Sequence, residues 1–101
     1  MAEYLTQSRP YAEAIFEIAE QDNSVDSWIK DLALISTSFQ DNLIQALIDT
    51  PDISQREKAE KFVSIFEGEV SAKTINFLKT LGQANRLKIL DNIILNFLEL
   101  V

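Results

Sequence analysis

The side chains that could carry out acid–base chemistry in this chain are carboxylates, because its 101 residues include no histidine and no cysteine. Asp22 and Asp26 have a spacing that could let one carboxyl act as a general acid and the other as a general base. Solvated helices show that spacing routinely, and no glycine-rich loop that could wrap nucleotide phosphates occurs. The sequence therefore favours a protein that is not an enzyme and needs no metal or other cofactor.

The charge balance argues against two classes of partner. Sixteen acidic and nine basic side chains give a net charge of −7, so the chain repels nucleic acid backbones and anionic lipids. The N-terminal segment lacks the charge and apolar run of a signal peptide, and no stretch reaches the roughly 18 apolar residues of a spanning helix. We expect a soluble protein on the cytoplasmic side, with no nucleic acid partner and no direct membrane insertion.

The residues that could recognise another protein lie between Ser8 and Gln21, a segment that has more apolar surface than one core contact needs. At 100° per residue its apolar side chains cover an arc of roughly 200°, and a surface helix needs little more than half of that. One side of the arc carries Ala12, Ile15, Phe16 and Ala19, and the adjoining side carries Tyr11, Ala14 and Ile18. The surplus is either covered by the same domain or binds another protein. Both outcomes stay open for Ile15 and Ile18, because a modest rotation of the helix would bury them.

Composition and periodicity predict an all-α fold, a compact six-helix bundle that forms a single domain over residues 1–101. With only two glycines and two prolines, the chain has little material for β-turns. The expected helices run from Ser8 to about Asp22, from Asn23 or Ser24 through Phe39, from Asp41 to Thr50, from Ser54 to Gly68, from Ser71 to Asn85, and from about Leu87 onward.

Several start and stop signals support these bounds. Ser8 is the expected N-cap of the first helix, with Pro10 in its first turn. Ser54 and Glu57 have capping-box spacing. Thr50 precedes a proline and so should leave the helical region, whereas Gly68 and Asn85 are expected to adopt left-handed backbone conformations.

Apolar residues at three- and four-residue steps predict the core. In the second, fourth and fifth helices they are Val25, Trp28, Ile29, Leu32, Ile35, Phe39, Ala59, Phe62, Val63, Phe66, Phe77, Leu78, Leu81 and Ala84. Leu43, Ile44, Leu47 and Ile48 mark the third, short helix. The last segment is expected to form a buried central helix, with Leu87, Leu90, Ile94, Phe97, Leu98 and Val101 on its main face and Ile89, Ile93 and Leu100 on its flank. Its apolar end predicts a domain of a longer protein or an end that docks.

Several short motifs occur in an order that is typical of one family. They are Arg9-Pro10-Tyr11-Ala12 followed by Ala14 and Phe16, then Trp28, Phe62 and Asn76, and last the turn Asn85-Arg86-Leu87. In this respect the chain resembles the N-terminal domain of the delta subunit of bacterial F-type ATP synthases, whose mitochondrial counterpart is the oligomycin-sensitivity-conferring protein. Two departures stand out. The family usually has Asn-Gly where this chain has Ala84-Asn85, and it usually continues into a C-terminal region that is absent here.

The resemblance implies a non-catalytic stator subunit at the cytoplasmic face of the bacterial inner membrane. Such a subunit holds the catalytic head against rotation by binding the amphipathic N-terminal helix of an alpha subunit in a groove between its first and fifth helices. Contact with the b-type stalk subunits would need the absent C-terminal region. The implied groove residues are Tyr11, Ala14, Ile15 and Ile18 on the first helix and Ala72, Ile75, Asn76, Lys79, Thr80 and Gln83 on the fifth.

Within that groove, Tyr11 is the expected anchor and Ala14 the point where two helix backbones can approach closely. The alternative is a generic six-helix interaction module of the death-domain type that associates with a second copy of itself. Its motivation is the same surplus of apolar surface on the first helix.

Overall fold

The computed structural model describes residues 2–101, with side chains from residue 7 onward. The helices are α1 (Ala2–Gln21), α2 (Val25–Ser38), α3 (Asn42–Asp49), α4 (Gln55–Phe66), α5 (Ala72–Gln83) and α6 (Leu90–Leu100), and a single 3-10 turn (Leu87–Ile89) precedes α6. No strand occurs within this described part. The prediction of an all-α six-helix bundle is confirmed.

Two helix pairs build most of the bundle. α1 packs along α6, and α4 packs along α5, with α2 in contact with both pairs. The core between them is contributed by every helix and is centred on large, fully buried side chains, among them Leu32, Phe62, Leu78, Leu81, Ile94 and Phe97. Phe16 of α1 meets Phe97 of α6 edge to face, with ring centroids 6.2 Å apart.

The predicted start of the first helix is wrong. α1 begins at Ala2, so Ser8 lies inside the helix and Pro10 follows it there, where proline has no N–H to donate. Ser8 is fully buried, and its hydroxyl accepts a hydrogen bond of 2.7 Å from Nδ2 of Asn96 on α6. The Ser8 hydroxyl, which the local sequence predicts as a helix N-cap, is therefore hydrogen-bonded to α6 instead.

Most of the other helix starts follow the expected chemistry. The side-chain oxygens of Asp41, Ser54 and Ser71 accept backbone hydrogen bonds from Leu43 (2.8 Å), Glu57 (3.1 Å) and Thr74 (3.4 Å). Ser24 occupies the N-cap position of α2, but its side chain makes no capping bond.

Two helices are followed by an asparagine whose backbone has a left-handed conformation. Asn23 has φ 55° and Asn85 has φ 59°. After each, a backbone N–H reaches back five residues, from Ser24 to Ala19 (2.8 Å) and from Arg86 to Leu81 (2.9 Å), as in a Schellman motif. The prediction for Asn85 is confirmed. Gly68 also has positive φ, 82°, although it lies in a turn after the extended C-cap Glu67.

A few predicted core residues are exposed instead. Ala84 follows the last turn of α5 and faces outward. Leu98, Leu100 and Val101 are 41%, 42% and 56% exposed, because the buried side of α6 centres on Ile93, Ile94 and Phe97. No helix in the described residues is both long enough and apolar enough to cross a bilayer.

Candidate protein-binding site

α1 and α5 are antiparallel neighbours that two polar contacts join near their ends. Nζ of Lys73, in the first turn of α5, lies 2.5 Å from Oδ2 of Asp22, just after α1. At the other end, Nη1 of Arg86 donates a hydrogen bond of 3.3 Å to Oε1 of Gln7. Because a helix rises about 1.5 Å per residue, the surface between these contacts is about 20 Å long. We call this surface the trough. From their positions on the two helices we assign to its walls Tyr11, Ala14 and Ile18 on α1 and Phe77, Thr80 and Ala84 on α5.

The wall on α1 is one stripe of the helix. Gln7, Tyr11, Ala14, Ile18 and Asp22 follow one another at steps of three or four residues, so they share a face. The first and last of them bind the α5 side, which turns the three apolar residues between them toward α5 as well. Tyr11 is half-buried against the core, Ala14 is exposed, and Ile18 is 47% exposed. This wall is apolar and largely uncovered.

The wall on α5 repeats the pattern. Phe77, Thr80 and Ala84 follow Lys73 at steps of four, three and four residues. Phe77 is half-buried, and the hydroxyl of Thr80 donates to the carbonyl of Asn76 (2.9 Å), which leaves the threonine methyl free for apolar contact. Both stripes thus consist of small and aromatic side chains, the residue types of grooves that accept an amphipathic helix.

One predicted groove residue of α1 is corrected by its burial. Ile15 is 4% exposed and belongs to the core, as do Ala12 and Ala19 on the same side of the helix. Its side chain is therefore not available to a partner. Tyr11, Ala14 and Ile18 share one face of α1 and are not buried, so their contact with a partner stays a prediction.

The groove residues predicted on α5 lie on more than one side of that helix. Thr80 lies on the stripe assigned to the trough, and the exposed Asn76 lies between that stripe and the α4 side. Lys79 and Gln83 instead line a hollow of about 600 Å³ between α4 and α5, together with Arg56, Ala59, Glu60, Val63 and Glu67. Ala72 and Ile75 share the α4 side of the helix with Lys79, and Ile75 is half-buried against the core. These four residues do not line the trough.

The sequence interpretation missed two residues of the trough, Phe77 and Ala84. Both were assigned to the core because they are apolar and three or four residues from Leu81. A signal was present, because Lys73, Phe77, Thr80 and Ala84 form their own stripe on α5. Only the contacts at the two ends of the trough show that this stripe faces α1.

The hollow between α4 and α5 differs from the trough in its chemistry. Charged side chains of both signs surround a small apolar floor of Ala59 and Val63. Arg56 and Glu60 form an exposed ion pair on its α4 side, with 3.3 Å between Nε and Oε1. Beside the hollow, the helices approach so closely that a Cβ on Gly82 would lie 2.3 Å from Cβ of Ala59. An apolar helix face fits the trough better than it fits this hollow.

The described residues contain no group of three or more acidic side chains placed to hold a metal ion. The electrostatics of the trough are set by the Lys73–Asp22 pair, whose side chains are 54% and 42% exposed. Such exposed pairs contribute about 0–1 kcal/mol to stability. The trough is therefore suited to apolar recognition, with polar contacts limited to its ends.

Comparison with known proteins gives a consistent result. The family model described as ATP synthase delta (OSCP) subunit matches residues 8–101. Similar proteins named ATP synthase subunit delta include those of Marinobacter nauticus, 37% identical over 93 residues (92% of this chain and 52% of the relative), and Acinetobacter baylyi, 35% identical over 100 residues (99% and 56%). The protein of that name from Nitrosospira multiformis is 36% identical over 93 residues, which are 92% of this chain and 52% of the relative. The chain thus spans about half the length of these curated relatives.

Proposed function

The chain belongs to the ATP synthase delta (OSCP) subunit family, and we propose that it is a non-catalytic stator subunit in the peripheral stalk of an F-type ATP synthase. Its task would be mechanical. It would attach the catalytic head to the stalk, so that the head does not turn with the central rotor during proton-driven ATP synthesis.

The proposed attachment is the N-terminal helix of an alpha subunit, bound in the trough between α1 and α5. The observation that carries this proposal is the open apolar stripe of Tyr11, Ala14 and Ile18, which faces α5 between two polar contacts. Apolar residues of an incoming helix at positions i, i+3, i+4 and i+7 would fill such a channel. Asn76, at the rim, could bond a polar group of that helix.

A few side chains would supply most of the binding free energy. Tyr11 and Phe77 offer large aromatic area and are already packed in part against the core, which limits the entropy that binding must remove. Ala14 and Ala84 have small side chains, so that the backbone of a third helix can approach closely. A long-lived attachment of this kind depends mainly on a slow dissociation rate.

The place of the subunit in the complex follows from the same proposal. We place it on the cytoplasmic face of the bacterial inner membrane, as a peripheral part of the complex. Contact with the b-type stalk subunits is assigned to the C-terminal region of the family, since the chain matches only about half of each curated relative.

The direct test is a calorimetric titration of the chain with a synthetic peptide of the alpha-subunit N-terminal helix. A second peptide with the same composition but a scrambled apolar stripe is the control. We expect saturable one-to-one binding of the first peptide at micromolar concentration or tighter, and none of the second. Absence of binding would count against the proposal.

The alternative, a module that associates with itself, makes a different prediction. It requires a concentration-dependent increase in mass by analytical ultracentrifugation without any peptide. Among the described side chains, the large apolar residues exposed outside the trough are Leu34, Leu43 and Ile65, which lie on three different helices, and Leu95, Leu98, Leu100 and Val101 at the end of α6. We favour the stator function because the chain belongs to the ATP synthase delta (OSCP) subunit family.

A further inference from the structure

We propose that Asp31 is a positioning residue for the trough, because its buried carboxylate holds the first turn of α5 where Phe77 can form the trough wall. The inference rests on the function proposed above, in which the trough binds a helix. It adds a residue outside the trough that determines the shape of the binding surface.

Asp31 joins α2 to the start of α5. It is 6% exposed, and its Oδ2 accepts two hydrogen bonds, from the backbone N–H of Ser71 (3.0 Å) and from the hydroxyl of Thr74 (2.8 Å). Thr74 is fully buried, and Ser71 is the N-cap of α5. A carboxylate at this position also complements the partial positive charge of a helix N-terminus.

The polar contact lies directly beside an aromatic one. Trp28 stands three residues before Asp31 on α2, and Phe77 stands three residues after Thr74 on α5. The rings of Trp28 and Phe77 meet edge to face with centroids 6.2 Å apart. The Asp31–Thr74 contact thus lies one helical turn from the contact between Trp28 and Phe77. A shift of Thr74 would therefore move Phe77, which forms part of the trough wall.

The remaining contacts of α5 do not replace this one. Near its other end α5 is fixed by the close approach of Gly82 to Ala59, and Arg86 then bonds Gln7. At its first turn, the other tie across to α1 is the exposed Lys73–Asp22 pair, and exposed pairs hold side chains weakly. Loss of the Asp31 contact would therefore weaken the attachment of the first turn of α5, which lies one turn before Phe77.

The test uses the 101-residue chain and a matched pair of variants at Thr74. Thr74→Val keeps the volume but removes the hydroxyl, whereas Thr74→Ser keeps the hydroxyl. Binding of the alpha-subunit helix peptide is measured by calorimetry at a temperature where each variant is folded by circular dichroism. We expect Thr74→Val to raise the Kd about tenfold and Thr74→Ser to raise it less than threefold, the size of effect that residues without ligand contact have on a binding site. Asp31→Ala should give at least the loss seen for Thr74→Val if it folds.

A variant at Lys58 is the control for an effect on binding that comes from lower stability alone. Lys58 is 5% exposed, and its Nζ donates a hydrogen bond of 2.9 Å to the carbonyl of Ile48 at the end of α3, away from the trough. Lys58→Met should lower the denaturation midpoint, as Thr74→Val does, yet leave the Kd within twofold of wild type. In a Phe77→Ala background, Thr74→Val should no longer change the Kd, because the side chain through which it acts is missing.

The outcomes separate this inference from the proposed function. If the wild-type chain does not bind the peptide, the proposed function and this inference both fail. If the wild type binds and Thr74→Val binds equally well, the inference alone is overturned. The same holds if Lys58→Met weakens binding as much as Thr74→Val, because general destabilisation would then explain both.

Discussion

Trp28 lies edge-on against Phe77, with their ring planes at 78°, and so one aromatic residue of the core touches one residue of the trough wall. Trp28 is 5% exposed and is the single tryptophan of the sequence. Its fluorescence therefore reports on the environment just beneath the trough.

The first prediction is that peptide binding changes this fluorescence. A helix seated in the trough would contact Phe77 and alter the packing and hydration around Trp28. We expect a saturable change in emission whose midpoint equals the calorimetric Kd. Phe77→Leu should strongly reduce the amplitude of the change. Calorimetric binding of the peptide with no change in Trp28 emission would place the peptide somewhere other than the trough.

The second prediction concerns Tyr11, the expected anchor. Tyr11→Ala should weaken peptide binding by roughly 1–3 kcal/mol, the range of a buried aromatic contact in an interface. The free energy of unfolding should change less than for a fully buried aromatic residue, because Tyr11 is only half-buried. Titration calorimetry and urea denaturation measure the two quantities.

Leu43 offers a control for this variant, since it is 79% exposed on α3, outside the trough. Leu43→Ala should leave the Kd unchanged. If Tyr11→Ala unfolds the chain, Tyr11 is a core residue and the anchor assignment is wrong.

The third prediction is that filling the trough blocks it. Ala14 is exposed on α1, so Ala14→Phe should change the free energy of unfolding by no more than about 0.5 kcal/mol. The larger side chain would nevertheless stand where the backbone of the incoming helix has to approach. We expect the Kd to rise more than tenfold, measured by calorimetry beside Ala33→Phe, which makes the same change at an exposed position of α2. Equal binding by both variants would show that the partner does not pass over Ala14.

The helices were predictable because their start and stop chemistry is local: Ser54 and Ser71 accept bonds from their own first turns, and Asn85 takes the left-handed conformation. The start of α1 was not predictable, since Ser8 has the side chain of a cap, and its burial depends on Asn96, which lies 88 residues further along the chain.

The residues proposed for the site could be chosen from the sequence on α1 and only in part on α5. Tyr11, Ala14 and Ile18 can be chosen because the apolar arc of α1 is too wide for one core contact. The boundary between the exposed and the buried side of that arc runs between Ala14 and Ile15, and a pattern of apolar residues does not show where it lies. On α5, the direction of the exposed face relative to α1 depends on long-range contacts such as Lys73–Asp22. Those contacts join residues 51 positions apart and leave no local signal.

The last prediction concerns the packing of α4 against α5, which fixes the position of one trough wall. Gly82→Ala should destabilise the chain by about 1–3 kcal/mol, because the new Cβ would lie 2.3 Å from Cβ and 3.0 Å from Cα of Ala59, and the helices would have to separate. Ala59→Gly removes the first of these contacts, so the double variant should be more stable than the sum of the two single changes predicts. Urea denaturation of the four proteins measures that coupling. Additive free energies would mean that α4 and α5 adjust without strain, and that α4 does not fix the position of α5.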